Sequence, residues 1–296
     1  NTKGRRRMTT STTSQQQQEE PALPPPATQQ AKPAVRRLGD RIFSGTALGA
    51  GIIILLVLAA VAVFLVAQSI PGLSTDDNTI LRGRSFLEYV VPLAFGTVWA
   101  SLIALVIAAP IAIGIALFIS HYAPRRFAAV LGYVIDLLAA VPSVVFGLWG
   151  AVTLAGFVQP FYAWLGANLG WFPLFSGQAS ATGNTILTAS LVLAVMILPI
   201  MTAICREVFL QAPRLHEEAA LALGATRWEM IRMAVFPFAR GGMVSGAMLG
   251  LGRALGETMA VTMVLSATGA VTFQVLNSSN PTPIPANIAL NFGEAY

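Results

Sequence analysis

Glu217–Pro237 reads EEAALALGATRWEMIRMAVFP, and its pattern sets the terms for the rest of the chain. Ala219, Ala220, Leu221, Ala222 and Leu223 are strong helix formers that break at Gly224, and a short amphipathic stretch then leads to Phe236-Pro237. The segment predicts helix, glycine turn, helix and proline stop. It lies in the largest polar insertion of the chain, Arg206 to Arg240, and a short exposed rod of this kind is a contact surface. Its surroundings are far more apolar. Of 296 residues 55% are hydrophobic and only 10% charged, with a mean hydropathy of +0.69, whereas a soluble domain carries about 25% charge. The sequence is that of a membrane protein.

Gaps between charges locate the membrane segments. Thr46 to Ile70 has no charge over 25 residues, about 37 Å of helix, enough to cross a hydrocarbon core of roughly 30 Å. The rival reading, a signal peptide behind Arg36-Arg37 with a faint cleavage pattern at Ala67 and Ser69, requires a shorter apolar run. Further apolar runs extend over about 91–120, 127–158, 185–205 and 241–267, so five spans are predicted in an all-α integral membrane fold. The third contains Asp136 and Pro142, and the fourth contains Pro199. Between them lies an uncharged loop with Trp164, Trp171 and Phe172, aromatic residues that suit a membrane interface. The organisation expected is a disordered Gln- and Pro-rich tail over 1–41, an N-terminal span over 42–70, an external loop over 71–90 and a core over 91–296. The insertion at 206–240 belongs to that core.

Orientation follows from the cations. With the N-terminus inside, fifteen of the eighteen Lys and Arg fall on cytoplasmic segments, Arg82 and Arg84 fall outside, and Arg253 lies within a span. One cysteine, Cys205, and two histidines, His121 and His216, do not make a disulfide framework or a multi-ligand metal site, so no metal is expected. No Gly-Lys pair occurs anywhere, which excludes a phosphate-cradling nucleotide loop in this chain. No Ser/His/Asp or Cys/His set offers catalytic residues, and no basic stretch inside the apolar region resembles a nucleic-acid surface.

The insertion resembles the cytoplasmic EAA loop of ABC importer permeases, whose pattern is Glu-Ala-Ala, three residues, Gly, nine residues, Ile, one residue, Leu-Pro. Glu218, Ala219, Ala220, Gly224 and Pro237 match it, while Ala234 stands for the Ile and Phe236 for the Leu. The stretches LLAAVPSVVFGLWG (Leu137 to Gly150), VMILPIMTAICREV (Val195 to Val208), EEAALALGATRWE (Glu217 to Glu229) and LGRALGETMAV (Leu251 to Val261) are similar to the PstC-type permeases of phosphate-specific ABC importers. That likeness covers roughly Phe86 to Ala267. It implies a type I importer fold, with one extra N-terminal helix before a five-helix core whose sixth membrane helix is expected beyond Tyr296. It also implies the partners: a second permease of PstA type, two copies of a cytoplasmic ATPase that carries ATP and Mg, an external phosphate-binding protein, and the lipid of a prokaryotic inner or plasma membrane. Inorganic phosphate is the cargo implied. Another oxyanion such as sulfate or molybdate is the first alternative, and a stand-alone carrier is the second, against which the EAA-like loop argues.

Within the last run, Gly242, Gly246, Gly250 and Ala254 recur every four residues and form a smooth stripe for close helix approach. Beside it, Arg253 and Glu257 are four residues apart on one predicted helical face. An Arg within a span costs on the order of 2.5–3.5 kcal/mol, a cost tolerated for a transport path or an ion pair. Its planar fork of donors suits phosphate oxygens, with Glu257 as counter-charge on the substrate pathway. A purely structural pair is the competing reading. Asp136, Pro142 and Pro199 are candidates for a gate or hinge, or equally for a cap and fixed kinks.

The topology has a direct check. In a Cys205-free background, single cysteines at Ser14 and Thr226 should be shielded from impermeant thiol reagents in intact cells, while one at Asp77 should react. Labelling of Thr226→Cys from outside would overturn the orientation.

Overall fold

The computed structural model describes residues 38–74, 85–266, 268–269 and 271–292, and these fold as helices and turns with no strand among them. Most of the tail expected over 1–41, and Asp76, Asp77, Arg82 and Arg84 of the expected external loop, lie outside the described residues. Among the described residues five helices are long and apolar enough to cross a membrane: Ile42–Ile70, Phe86–Tyr122, Ser143–Leu169, Ile186–Leu210 and Arg227–Leu255. The chain divides into two compact units at Ser74.

The first unit contains α1, Leu38–Ser74, a helix of 37 residues. Its apolar side chains point outward around the whole circumference, from Ile42 and Phe43 to Val66 and Ile70. A helix with no polar face has no orientation that satisfies water, so its solvent is hydrocarbon.

The second unit is built around α6, Ile186–Leu210, the most buried of the five long helices. On one side lies α2, Phe86–Leu117, which starts from a capping box between Ser85 and Glu88 and continues into a π turn, Phe118–Tyr122. Ala100, Ala104, Ala108, Ala112 and Ala116 form a row along α2, all almost completely buried. Small side chains at that spacing let the α2 backbone come close to α6. On the other side lies α9, Phe236–Leu255, and its glycine stripe faces the same helix. A Cβ at Gly242 would collide with Val208, one at Gly250 would lie 2.9 Å from Met201, and one at Gly246 would touch Ile204. The close neighbour expected from the stripe is therefore α6 of the same chain.

Two predicted spans differ from the structure. The run over 127–158 is not one helix: α3, Arg125–Ala139, ends before Pro142, and a new helix starts as α4, Ser143–Trp149. It passes through a π turn, Gly150–Leu154, into α5, Ala155–Leu169. Pro142 has no amide hydrogen to continue α3 and turns the residue before it away from helical geometry. Since the linking Ala140 and Val141 are apolar, hydropathy alone joins the two helices. The spanning helix is thus Ser143–Leu169, and Asp136 lies outside the five long apolar helices. The run over 241–267 is also divided. α9 ends at Leu255 and a separate short helix, α10, covers Met259–Val264.

Beyond α10, Leu265 to Pro283 folds over the N-terminal end of α6 and leads into α11, Ile284–Asn291. Asn280 pins this segment. It is fully buried; its Oδ1 accepts from the Ile186 amide at 2.9 Å, and its Nδ2 donates to the carbonyls of Asn184, Ser266 and Ser278, each at 3.2 Å. Thr97 joins the segment to α2 by accepting from the Ile284 amide at 2.8 Å. Tyr162 of α5 meets Thr188 of α6 at 3.0 Å, and the Thr188 hydroxyl donates to Gly183 O.

Asn280→Ala strands those buried groups, at about 1–3 kcal/mol for unsatisfied partners. Thermal unfolding of the detergent-solubilised chain should show a midpoint lower by on the order of 5 °C. Asn291→Ala, at an exposed position, should leave it within about 1 °C.

Candidate functional site

The Arg206 to Arg240 insertion contains α7, Arg214–Ala222, and α8, Arg227–Met230. Gly224 has φ +86° with open space where a Cβ would be, so glycine is required there by backbone conformation and not by crowding. The Gly224 amide donates to Leu221 O at 3.0 Å and the Ala225 amide to Ala220 O at 3.2 Å. These two bonds are the paired closure of a Schellman motif, which satisfies carbonyls that the helix end would leave bare. Two residues later Thr226 starts α8 with a capping box: its amide donates to Glu229 Oε2 at 2.8 Å, and its hydroxyl accepts from the Glu229 amide at 3.3 Å. The pattern Ala-Leu-Gly-Ala-Thr-x-x-Glu thus encodes one helix stop and one helix start.

Glu218 and Ala219 are exposed on α7, and Ala220 is half-buried. A cleft of about 760 Å³ lies between α7 and the following helix, lined among others by His216, Leu223, Glu229, Met233 and Phe238. Leu215, Leu223, Trp228 and Met233 present large apolar surface to solvent here, with Leu223 90% exposed. Charged and apolar groups on a rod with an open cleft behind it make a surface suited to a protein partner.

Pro237 does not act as a stop. α8, a π turn at Ile231–Val235 and α9 form one continuous helix, Arg227–Leu255, with Pro237 at the start of α9. The wider ring of the π turn accommodates a residue that cannot donate to the preceding turn. Pro237 and Arg253 are therefore on one rod, about 24 Å apart along the axis.

Arg253 is on the exposed face of α9. Since Gly250 lies against Ile197 and Met201, near the middle of the 25-residue α6, the Arg253 position is close to mid-depth in the bundle. Among the described residues it makes no hydrogen bond or ion pair. The expected pairing with Glu257 is not formed. An i, i+4 pair needs unbroken helix, and α9 ends at Leu255 with Gly256 as its C-cap. Glu257 Oε1 instead accepts from the Ala260 amide at 3.1 Å, at the start of α10. Asp136 is exposed on α3, Pro142 is the N-cap of α4, and Pro199 is buried inside an unbroken α6. No three His, Cys, Asp or Glu side chains among the described residues are grouped to hold a metal. The structure puts the Glu218, Ala219, Ala220 and Gly224 set together on one rod and leaves Arg253, Asp136 and Pro142 at separate places.

Residues 109–292 match the family described as binding-protein-dependent transport system inner membrane component. The chain belongs to this family. It is 48% identical to phosphate transport system permease protein PstC 2 of Mycobacterium tuberculosis over 239 residues, which cover 77% of this chain and 74% of that protein. To phosphate transport system permease protein PstC of Mesorhizobium japonicum it is 39% identical over 293 aligned residues, 91% of this chain and 87% of that one. The corresponding protein of Haemophilus influenzae is 37% identical over 269 residues, 86% and 83% of the two chains. It is a PstC-type permease, a multi-pass membrane component of an ABC transporter that works with other subunits.

Three features of this permease had no reading in the sequence. The alanine row of α2 was visible as Ala every four residues from Ala100 to Ala116, a signal as regular as the glycine stripe. Asn280 is one of several Asn in a polar segment, and nothing local distinguishes it. Arg206 lies over Gly132 of α3 with its Nε buried and unpartnered, a contact between runs far apart in the chain.

Because Arg253 and Glu257 do not pair, Arg253→Gln and Glu257→Gln should change the unfolding free energy independently, adding within about 0.5 kcal/mol. Glu257→Ala should cost about 1 kcal/mol more than Glu257→Gln, which keeps an oxygen for the Ala260 amide. Denaturation of the solubilised chain and its double mutant measures both.

Proposed function

We propose that this permease forms part of the path by which inorganic phosphate enters the cell, driven by ATP on a separate subunit. The supporting observation is Arg253: a guanidinium without a partner among the described residues, at mid-depth, on the exposed face of α9. An uncompensated cation there is costly for a lipid-facing surface and useful for an anion, since its fork of donors fits two phosphate oxygens while the anion supplies the missing charge. The names of the relatives, phosphate transport system permease proteins, support the same cargo.

Glu218, Ala219, Ala220 and Gly224 on the rod, with Pro237 at the root of α9, are the contact for an ATPase. Two ATPase copies carry ATP and Mg, a PstA-type second permease covers the open face of α9, and an external phosphate-binding protein delivers the cargo. The helix Arg227–Leu255 links the two sites: a push on the rod reaches Arg253 through one continuous element. Asp136, Pro142 and Pro199 are at places where such a movement can be taken up, the first two beside the α3 to α4 break and the third within α6.

Uptake of labelled phosphate in a strain lacking its own phosphate importer, with the chain and its partner subunits supplied together, tests the reading. Wild type should restore uptake that sulfate and molybdate do not compete away. Arg253→Lys should keep part of it, and Arg253→Gln should remove at least about 90% with the subunit still in the membrane. Gly224→Val should abolish uptake as well, whereas Gly224→Asn, which tolerates positive φ, should retain more. Unchanged uptake in Arg253→Gln would remove the anion contact from the path.

A further inference from the structure

Very little holds α7 to the body of the permease. None of its residues is buried, and the cleft of about 760 Å³ opens along one side. Its apolar anchor is Ala220, packed against a buried cluster that includes Ala116, Cys205, Phe209 and Ile231. Among the described residues a single side-chain polar contact leaves α7 for another element: Glu217 Oε1 lies 3.6 Å from Nε2 of His121.

His121 is placed to make that contact. It sits in the π turn Phe118–Tyr122 that ends α2, and Ser120 Oγ lies 2.7 Å from its Nδ1 on the opposite side of the ring. A π turn inside or at the end of an α-helix re-aims the side chains that follow it, and such turns are concentrated at functional sites. Nε2 is left facing the Glu217 carboxylate. At 3.6 Å the contact is electrostatic and too long for a hydrogen bond. The side chains are only 9% and 21% exposed, so salt screens the contact less than it would an open surface pair.

We propose that His121 is a positioning residue for transport: it ties the rod α7 to the end of α2, so that a displacement of the rod is passed into the α2 and α6 pair. The inference rests on α7 being the ATPase contact. Two routes then lead from the rod into the membrane. One is the covalent route through Gly224 and α8 into α9. The other crosses from Glu217 to His121 and enters α2, whose alanine row is locked against α6, the helix that the glycine stripe of α9 also faces. With both routes intact, α2 and α9 are driven together and α6 between them is sheared from both sides. Without the second, the rod swings on its own two ends, Pro213 and Gly224, and α2 stays behind.

The test uses the complete transporter in proteoliposomes, with phosphate taken up per ATP hydrolysed as the readout and hydrogen exchange of the 214–222 amides as a second one. His121→Ala and His121→Glu should lower phosphate per ATP at least about tenfold, while assembled complex and basal ATP hydrolysis stay within about twofold of wild type. His121→Gln, whose amide can present an N–H to the carboxylate, should keep more than half of the coupling. Combining His121→Glu with Glu217→Arg should restore a large part of what His121→Glu loses. Exchange at 214–222 should rise about threefold or more in His121→Ala and not in His121→Gln. Wild-type phosphate per ATP in His121→Ala, unchanged exchange there, or a loss that only follows the amount of assembled complex would each overturn the tether. A wild-type complex that takes up no phosphate would instead overturn the cargo assigned above, and the exchange measurement would still decide the tether.

Discussion

Close approach of helix backbones through small side chains is the constraint on which the rest of this structure depends. In hydrocarbon, helices gain nothing by hiding apolar surface from lipid that is equally apolar, so association comes from dense van der Waals contact. α6 is gripped on two sides in this way, by the alanines of α2 and by Gly242, Gly246 and Gly250 of α9. A Cβ at Gly242 or Gly250 would collide with Val208 or crowd Met201, whereas one at Gly246 would rest in ordinary contact with Ile204. The three helices therefore form a block in which movement of one must be transmitted or resisted by the others.

Polar satisfaction is arranged around that block and not through it. The hydroxyls inside the helices return to their own backbone, as Ser101 does to Thr97 O and Thr202 to Leu198 O, so the block needs no polar contact between helices at its centre. Longer-range hydrogen bonds cluster at the end where α6 begins. There Asn280 and Thr97 hold the Leu265 to Pro283 segment, and Tyr162 and Thr188 hold α5. This distribution follows from the medium: irregular backbone at membrane depth survives only where protein satisfies its amides and carbonyls. At the opposite end the rod α7 has a single side-chain polar tie among the described residues. One end of the molecule is thus built to be fixed, and the other to be held loosely enough to answer a partner.

The sequence carried the class of fold through hydropathy, since five charge-poor runs correspond to five long apolar helices. It carried the helix stop at Gly224 equally well, because that turn acts over a few residues, but the proline stop read at Pro237 failed, since one helix, Arg227–Leu255, runs through it. It failed where a break is itself apolar. Ala140-Val141-Pro142 interrupts a helix without a charge, and Gly256 ends α9 inside a run that hydropathy reads as one span. The Arg253 and Glu257 pairing was inferred from helical spacing across that second break, so it was lost with the helix. Asn280 and the contact of His121 with Glu217 are encoded in no neighbourhood of the sequence. Each joins residues far apart in the chain, and only the fold brings them together.

Among the described residues Arg253 has no partner, and this constrains what can face α9. A lone guanidinium at mid-depth costs on the order of 2.5–3.5 kcal/mol even on the milder insertion scales, and the exposed Val244, Met248 and Leu249 earlier on the helix do not neutralise its charge. Had Glu257 continued the helix, the two charges would have neutralised each other and that face could have been a plain packing surface. The helix break removes this option by turning Glu257 to the amide of Ala260. What faces Arg253 must then supply negative charge or water, either from another protein surface or along an aqueous path. The same glycine that ends α9 thereby sets the polarity of its neighbour. A local backbone event, Gly256 as a C-cap, is what parts Glu257 from Arg253.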